Sequence, residues 1–128
     1  MNEVTRDMSS NDLIENQKAP RIQLADIENS IASEHYFTAA DGRSGAIQNE
    51  TYTGREVPAE DDKDLQLLST LIFCVLILKN GFRVTGESAC VSYENFSPYI
   101  SRRIAREHAI EKMWPLMGYA LKDRLSKS

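Results

Sequence analysis

The chain has 128 residues, 41% of them hydrophobic and 27% charged, with a formal net charge of −4. That composition suits a globular protein with a core of its own, and it excludes a wholly disordered chain. The longest unbroken apolar run, Leu71 to Leu78, is far short of the ~20 residues a membrane-spanning helix needs.

Residues 1–20 are polar, with Leu13 and Ile14 as their one adjacent apolar pair, and they end at Pro20. So little apolar surface does not offset the entropy of ordering. Residues 1–22 are therefore expected to form a flexible tail before a single compact domain over 23–126. No basic stretch followed by an apolar one opens the chain, so no secretory signal is expected. Leu24, Ile27 and Ile31 recur at helical spacing and predict a short amphipathic helix. His35-Tyr36-Phe37-Thr38 has strand character, and Ala39-Ala40-Asp41-Gly42 reads as a turn. Gly42, Gly45, Gly54, Pro58 and the acidic run Glu60-Asp61-Asp62 then predict a long acidic loop over about 42–64.

Residues 65–78 leave only Gln66, Ser69 and Thr70 polar. Their length predicts a buried helix, stopped by Asn80-Gly81. Because its second half is apolar all round, this segment needs cover from the chain or from a partner subunit, and an obligate homo-oligomer is expected, most simply a dimer. Phe82-Arg83-Val84-Thr85 begins a β-hairpin arm, broken at Gly86-Glu87-Ser88 and resumed at Ala89. Ser97 and Pro98 suit the N-cap and first position of a final helix. Along it Ile100, Ile104, Ile110, Trp114, Met117, Leu121 and Leu125 share one face. Trp114 is expected to anchor the core, so that truncation to alanine would cost about 3–5 kcal/mol. Pro115 is expected to kink or restart the helix. The fold class expected is α+β and mostly helical: a buried apolar helix and a long Pro-kinked C-terminal helix, packed with a short β-hairpin and a small N-terminal helix.

Charge is unevenly spread. Residues 1–64 hold 6 Lys/Arg against 14 Asp/Glu, and residues 100–128 hold 7 against 3. The basic tail can pair with the acidic front of its own molecule, with a neighbour's, or with an external anion. Arg102, Arg103 and Arg106 lie within little more than one helical turn, and guanidinium forks suit phosphate and carboxylate. With Tyr99 and Trp114 for stacking and the strand-turn at Ser88 for backbone donors, these residues form a candidate ligand-binding set. The bland alternative is a solvated helix face, with Arg103 paired to Glu107.

Other chemistry finds little support. His35 and His108 have no metal-ligand spacing around them, and no cofactor is expected. Neither a phosphate-binding glycine loop nor a G-x-S-x-G elbow is present. Cys74 and Cys90 form no C-x-x-C motif, which fits reduced thiols in an intracellular protein. A nucleophile–base pair of Ser88 or Cys90 with His108 would make a small hydrolase. Against it stands the reading of Ser88 as a turn residue, Cys90 as a small core side chain and His108 as an exposed helix position. The negative charge and the lack of a recognised DNA- or RNA-binding signature argue against nucleic acid.

Three stretches carry a resemblance. They are Ile31-Ala32-Ser33-Glu34-His35-Tyr36-Phe37-Thr38-Ala39-Ala40-Asp41-Gly42; then Phe73-Cys74-Val75-Leu76 with Asn80-Gly81-Phe82, Val84-Thr85-Gly86-Glu87-Ser88-Ala89-Cys90 and Glu94-Asn95-Phe96; and Arg103-Ile104-Ala105-Arg106-Glu107 through Trp114-Pro115-Leu116 to Gly118-Tyr119 and Leu121. Together they resemble the small tailed-phage protein family typified by gene product forty-nine of coliphage N-four and gene sixty-six of a Shigella podophage, over most of residues 24–125. The longer acidic loop before Leu65 and the sequence Ser97-Pro98-Tyr99 depart from the family's pattern. What the resemblance implies is a setting, an accessory protein of tailed phages and prophages, and no mechanism. By fold-level analogy, a very apolar helix beside a basic, aromatic-bearing one suits a non-catalytic protein in the host cytoplasm that binds a host protein or a small, anionic, nucleotide-like signal and so counters host defence. The alternatives are the hydrolase-like enzyme above and a minor virion component.

Overall fold

A computed structural model of the chain describes residues 20–53, 55 and 62–127. Its elements are α1 (Leu24–Ser30), β1 (Ile31–Thr38), α2 (Ala39–Gln48), α3 (Asp62–Ser69), β2 (Leu71–Leu78), β3 (Arg83–Ala89) and α4 (Pro98–Ser126). The strands form one antiparallel sheet in the order β1-β2-β3. The fold class is α+β and mostly helical, with a long C-terminal helix. Most of the expected tail, and residues 54 and 56–61 of the expected acidic loop, lie outside the described residues. Ile22, at the end of that tail, packs on the core.

The apolar run is not a helix. Residues 65–69 finish α3, and residues 71–78 form the central strand β2. Two side chains mark the junction: Ser69 Oγ donates to the Gln66 carbonyl at 2.8 Å and Thr70 Oγ1 to the Leu67 carbonyl at 3.1 Å. Eight apolar residues, three of them β-branched, suit the central strand of a sheet, and such a strand reads as a continuous apolar run without alternation in hydrophobicity. Burial does alternate: Ile72, Cys74, Leu76 and Leu78 are buried, and Leu71, Phe73, Val75 and Ile77 are half-buried.

The segment 39–42 is not a turn but the start of α2. Thr38 Oγ1 accepts from the Asp41 amide and Asp41 Oδ2 from the Thr38 amide, both at 3.0 Å. This reciprocal cap satisfies two donors at once and outweighs the cost of Gly42 and Gly45 within the helix. The expected loop is shortened accordingly.

Nor is β3 broken at Gly86-Glu87-Ser88. It runs to Ala89, with Gly86 opposite Cys74 in the register. Gly86 is where α4 touches the sheet: a Cβ there would collide with the Ala105 carbonyl oxygen and the Ala109 amide nitrogen. The alanines facing it are fully buried. Small residues on both sides let the helix backbone lie directly on the strand. β2 and β3 are joined by a tight turn in which Gly81 adopts φ +89°, a conformation that favours glycine.

Helix α4 starts as expected, with the Ser97 hydroxyl accepting from the Ile100 amide at 3.3 Å and Pro98 in the first turn. It continues unbroken through Pro115 to Ser126. Pro115 and Glu111 are both exposed, so the carbonyl that loses its donor lies on a flank open to water. The buried positions of α4 are Ser101, Ala105, Ala109, Ile110 and Met113. Trp114 is therefore not the core anchor. It is 40% exposed, whereas Met113 is completely buried.

The core is a single cluster between α4 and one face of the sheet, closed at one end by Ile27 of α1. The opposite face carries Phe37, Phe73, Val75 and Ile77. Phe37 is 40% exposed, and its ring lies 5.7 Å from that of Phe73.

Candidate functional site

The first two turns of α4 pass beside β1, and between them lies a cleft of about 270 Å³ lined by Tyr36, Tyr99, Arg102, Arg103 and Arg106. Four of the six residues picked from sequence thus line one site. The other two lie elsewhere. Ser88 pairs with Ile72 in the β3–β2 ladder, and Trp114 sits about two turns further along α4 than Arg106, outside the cleft lining. Tyr36 takes their place. Its signal in the sequence was strand alternation alone: β1 turns Glu34, Tyr36 and Thr38 towards α4, in register with Leu76, Cys74 and Ile72.

The three arginines do different work. Arg106 is fully committed. Its Nη2 and Nη1 reach Glu28 at 2.6 and 3.1 Å, while Nε and Nη2 reach Glu34 at 3.0 Å each. One guanidinium therefore ties α1, β1 and α4 together with paired, charge-assisted bonds. The bonds to Arg106 hold the carboxyls of Glu28 and Glu34 below the usual range, and both carboxylates hold the guanidinium charged. This realises the first of the three pairings open in the sequence, basic tail to acidic front within one molecule.

Arg102 lies with its guanidinium carbon 4.4 Å from the Tyr36 ring centroid. Stacking uses the face of the guanidinium and leaves its N–H edge available. Tyr36 is held by its own hydroxyl, which donates to Glu34 Oε1 at 2.7 Å. Burial, then this bond, pushes the phenol well above its ordinary value, so it stays a neutral donor. Arg103 is exposed and makes no ion pair among the described residues, with Glu107 or otherwise. Tyr99 is 76% exposed at the rim. The positive end of the α4 dipole adds to the same field. The cleft thus offers two guanidinium edges with no ion-pair partner among the described residues, a helix N-terminus and two aromatic rings, which is chemistry for an anion carrying a flat group.

The nucleophile–base alternative has different geometry. His108 Nδ1 lies 2.7 Å from the Glu87 carbonyl oxygen, the geometry of a donated proton, and the Cys90 thiol donates to the Ser92 carbonyl at 3.2 Å. No hydrogen bond joins His108 to Ser88 or Cys90 among the described residues. Among those residues, too, no group of three or more His, Cys, Asp or Glu is placed to hold a metal ion. No helix described is long and apolar enough to cross a membrane.

Compared with known proteins, the chain matches the model of the phage protein (N4 Gp49/phage Sf6 gene 66) family over residues 22–125. No curated protein and no solved structure matches it.

Proposed function

From its membership of the phage protein (N4 Gp49/phage Sf6 gene 66) family, we propose that the chain is a non-catalytic phage accessory protein that captures a small, phosphate-bearing ligand in the Tyr36/Tyr99/Arg102/Arg103 cleft. One observation supports the reading: Arg102 and Arg103 line the cleft without a carboxylate partner among the described residues, whereas Arg106 beside them has two. A purely structural role accounts for Arg106 and for the stacking of Arg102 on Tyr36, but not for the N–H edge of Arg102 or for Arg103. Nucleotide-like ligands suit the site, because a phosphate can take the guanidinium edges while a base stacks on Tyr99. Sequestering such a signal in the host cytoplasm is how a protein without catalytic machinery would blunt a host response.

Calorimetry against inorganic phosphate, mononucleotides and cyclic and linear dinucleotides tests this. At least one nucleotide should bind. Arg102→Ala and Arg103→Ala should each weaken it by about 10-fold or more, the scale of a lost charge-assisted bond, with the melting temperature nearly unchanged. Tyr99→Ala should weaken nucleotides more than phosphate. Absence of binding across the panel, or binding indifferent to all three changes, would return this face to plain solvation.

A further inference from the structure

The second face of the sheet is built for burial and is only half-covered. β2 is apolar at all eight positions, the pattern of a strand covered on both sides, yet α4 covers only one. On the other, Phe73, Val75 and Ile77 are half-buried and Phe37 is 40% exposed. The charges along this face have a pattern. β3 is exposed at Arg83, Thr85 and Glu87, which lie opposite Ile77, Val75 and Phe73 in the register. Neither Arg83 nor Glu87 has an ion-pair partner among the described residues. On one strand they are roughly 13 Å apart, too far to pair with each other.

A two-fold axis across the strands, along the row His35–Val75–Thr85, resolves these features together. It sets Val75 against its own copy and the Phe73 and Phe37 rings against the partner's Ile77 and Ser33. It also brings Arg83 opposite the partner's Glu87, and Glu87 opposite the partner's Arg83. The face is self-complementary in shape class and in sign, as an isologous interface requires. We infer that the open sheet face docks a second copy of this chain, sheet to sheet, about 10 Å apart and with strands nearly aligned. Three strands of about seven residues give a small interface, so the dimer forms and dissociates in the micromolar range rather than being obligate.

Sedimentation velocity of the full chain across a dilution series should show monomer passing to dimer. Val75→Glu, placing two carboxylates against each other at the axis, should abolish the dimer. Arg83→Glu should weaken it by about 10-fold or more through like charges facing across the interface. The double variant Arg83→Glu/Glu87→Arg should restore it, because the swapped charges again face opposite signs. Both β3 positions are exposed, so these variants keep the fold, which circular dichroism verifies independently of association. A wild-type chain that stays monomeric at every concentration overturns the inference. So does a dimer that survives Val75→Glu, or one that the double variant fails to rescue.

Discussion

At Gly86 a single methyl group is forbidden by the backbone of another element. The atoms it would meet, the Ala105 carbonyl oxygen and the Ala109 amide nitrogen, belong to a helix ladder and cannot rotate aside. Gly86→Ala therefore has to push α4 off the sheet, opening the contact on which the fully buried Ala105, Ala109 and Met113 depend. The cost expected is about 3 kcal/mol or more, at the severe end for one added carbon, because relief requires a rigid-body shift. Urea unfolding would measure it, and a loss below about 1 kcal/mol would mean that the helix yields easily. Nothing in the sequence marked Gly86 as a packing position. Glycine between Thr85 and Glu87 reads as a break when only the chain's own turn preferences are weighed. The constraint comes from a helix some twenty residues away.

Among the elements, α4 separates what periodicity reveals from what it hides. Its start was legible because the Ser97–Pro98 cap is local, and the strand character of 35–38 was legible from composition. Its buried face was not. Counting large apolar residues favours Ile104, Trp114 and Leu121, whereas the face on the sheet is lined mostly by small residues that permit close approach. One residue is a 100° rotation, enough to exchange Trp114 for Met113 in the core. Met113→Ala should accordingly cost about 2–5 kcal/mol, and Trp114→Ala under about 1.5, as thermal melts of the two variants would register. The reverse ranking would place the helix a residue out of phase. The helix expected over 65–78 gives way to a strand for a related cause: a strand apolar at every position has no alternation in hydrophobicity, and only Ser69-Thr70 punctuates the run. In the cleft, spacing along one helix was enough to group Arg102, Arg103 and Arg106. Tyr36, Glu28 and Glu34 come from distant sequence, and only the fold brings them there.

At the scale of the molecule, the Arg106 clamp is the polar link joining α1, β1 and α4, and its carboxylates set how the fold responds to acid. Both Glu28 and Glu34 are held below their ordinary range. Each therefore contributes stability that is complete above the unfolded-state value near 4.3 and is lost as pH falls through the depressed folded value. Arg106 stays charged throughout that window. Melting temperature should be flat from pH 7 to about 5 and fall below it. Arg106→Gln should cost roughly 1–2 kcal/mol at pH 7, a figure kept modest by the partial exposure of all three groups. In that variant the fall below pH 5 should be shallower, and an acid profile parallel to the parent's would remove the clamp from the account.

The antiparallel order β1-β2-β3 also carries a schedule. β2 is the hub of the sheet, but β1 is made first, and the last residue of β2 lies 40 positions after Thr38. At synthesis rates of about 5–20 residues per second, β1 spends roughly 2–8 s out of the ribosome with no strand to pair with. Its neighbours β2 and β3 meet almost at once across their tight turn. The nascent β1 is protected during the wait by its own composition, since Ser33, Glu34 and His35 interrupt its apolar residues with polar ones. The all-apolar β2 has no such protection, and it is the strand whose pairing partners arrive, or are already waiting, on both sides when it emerges.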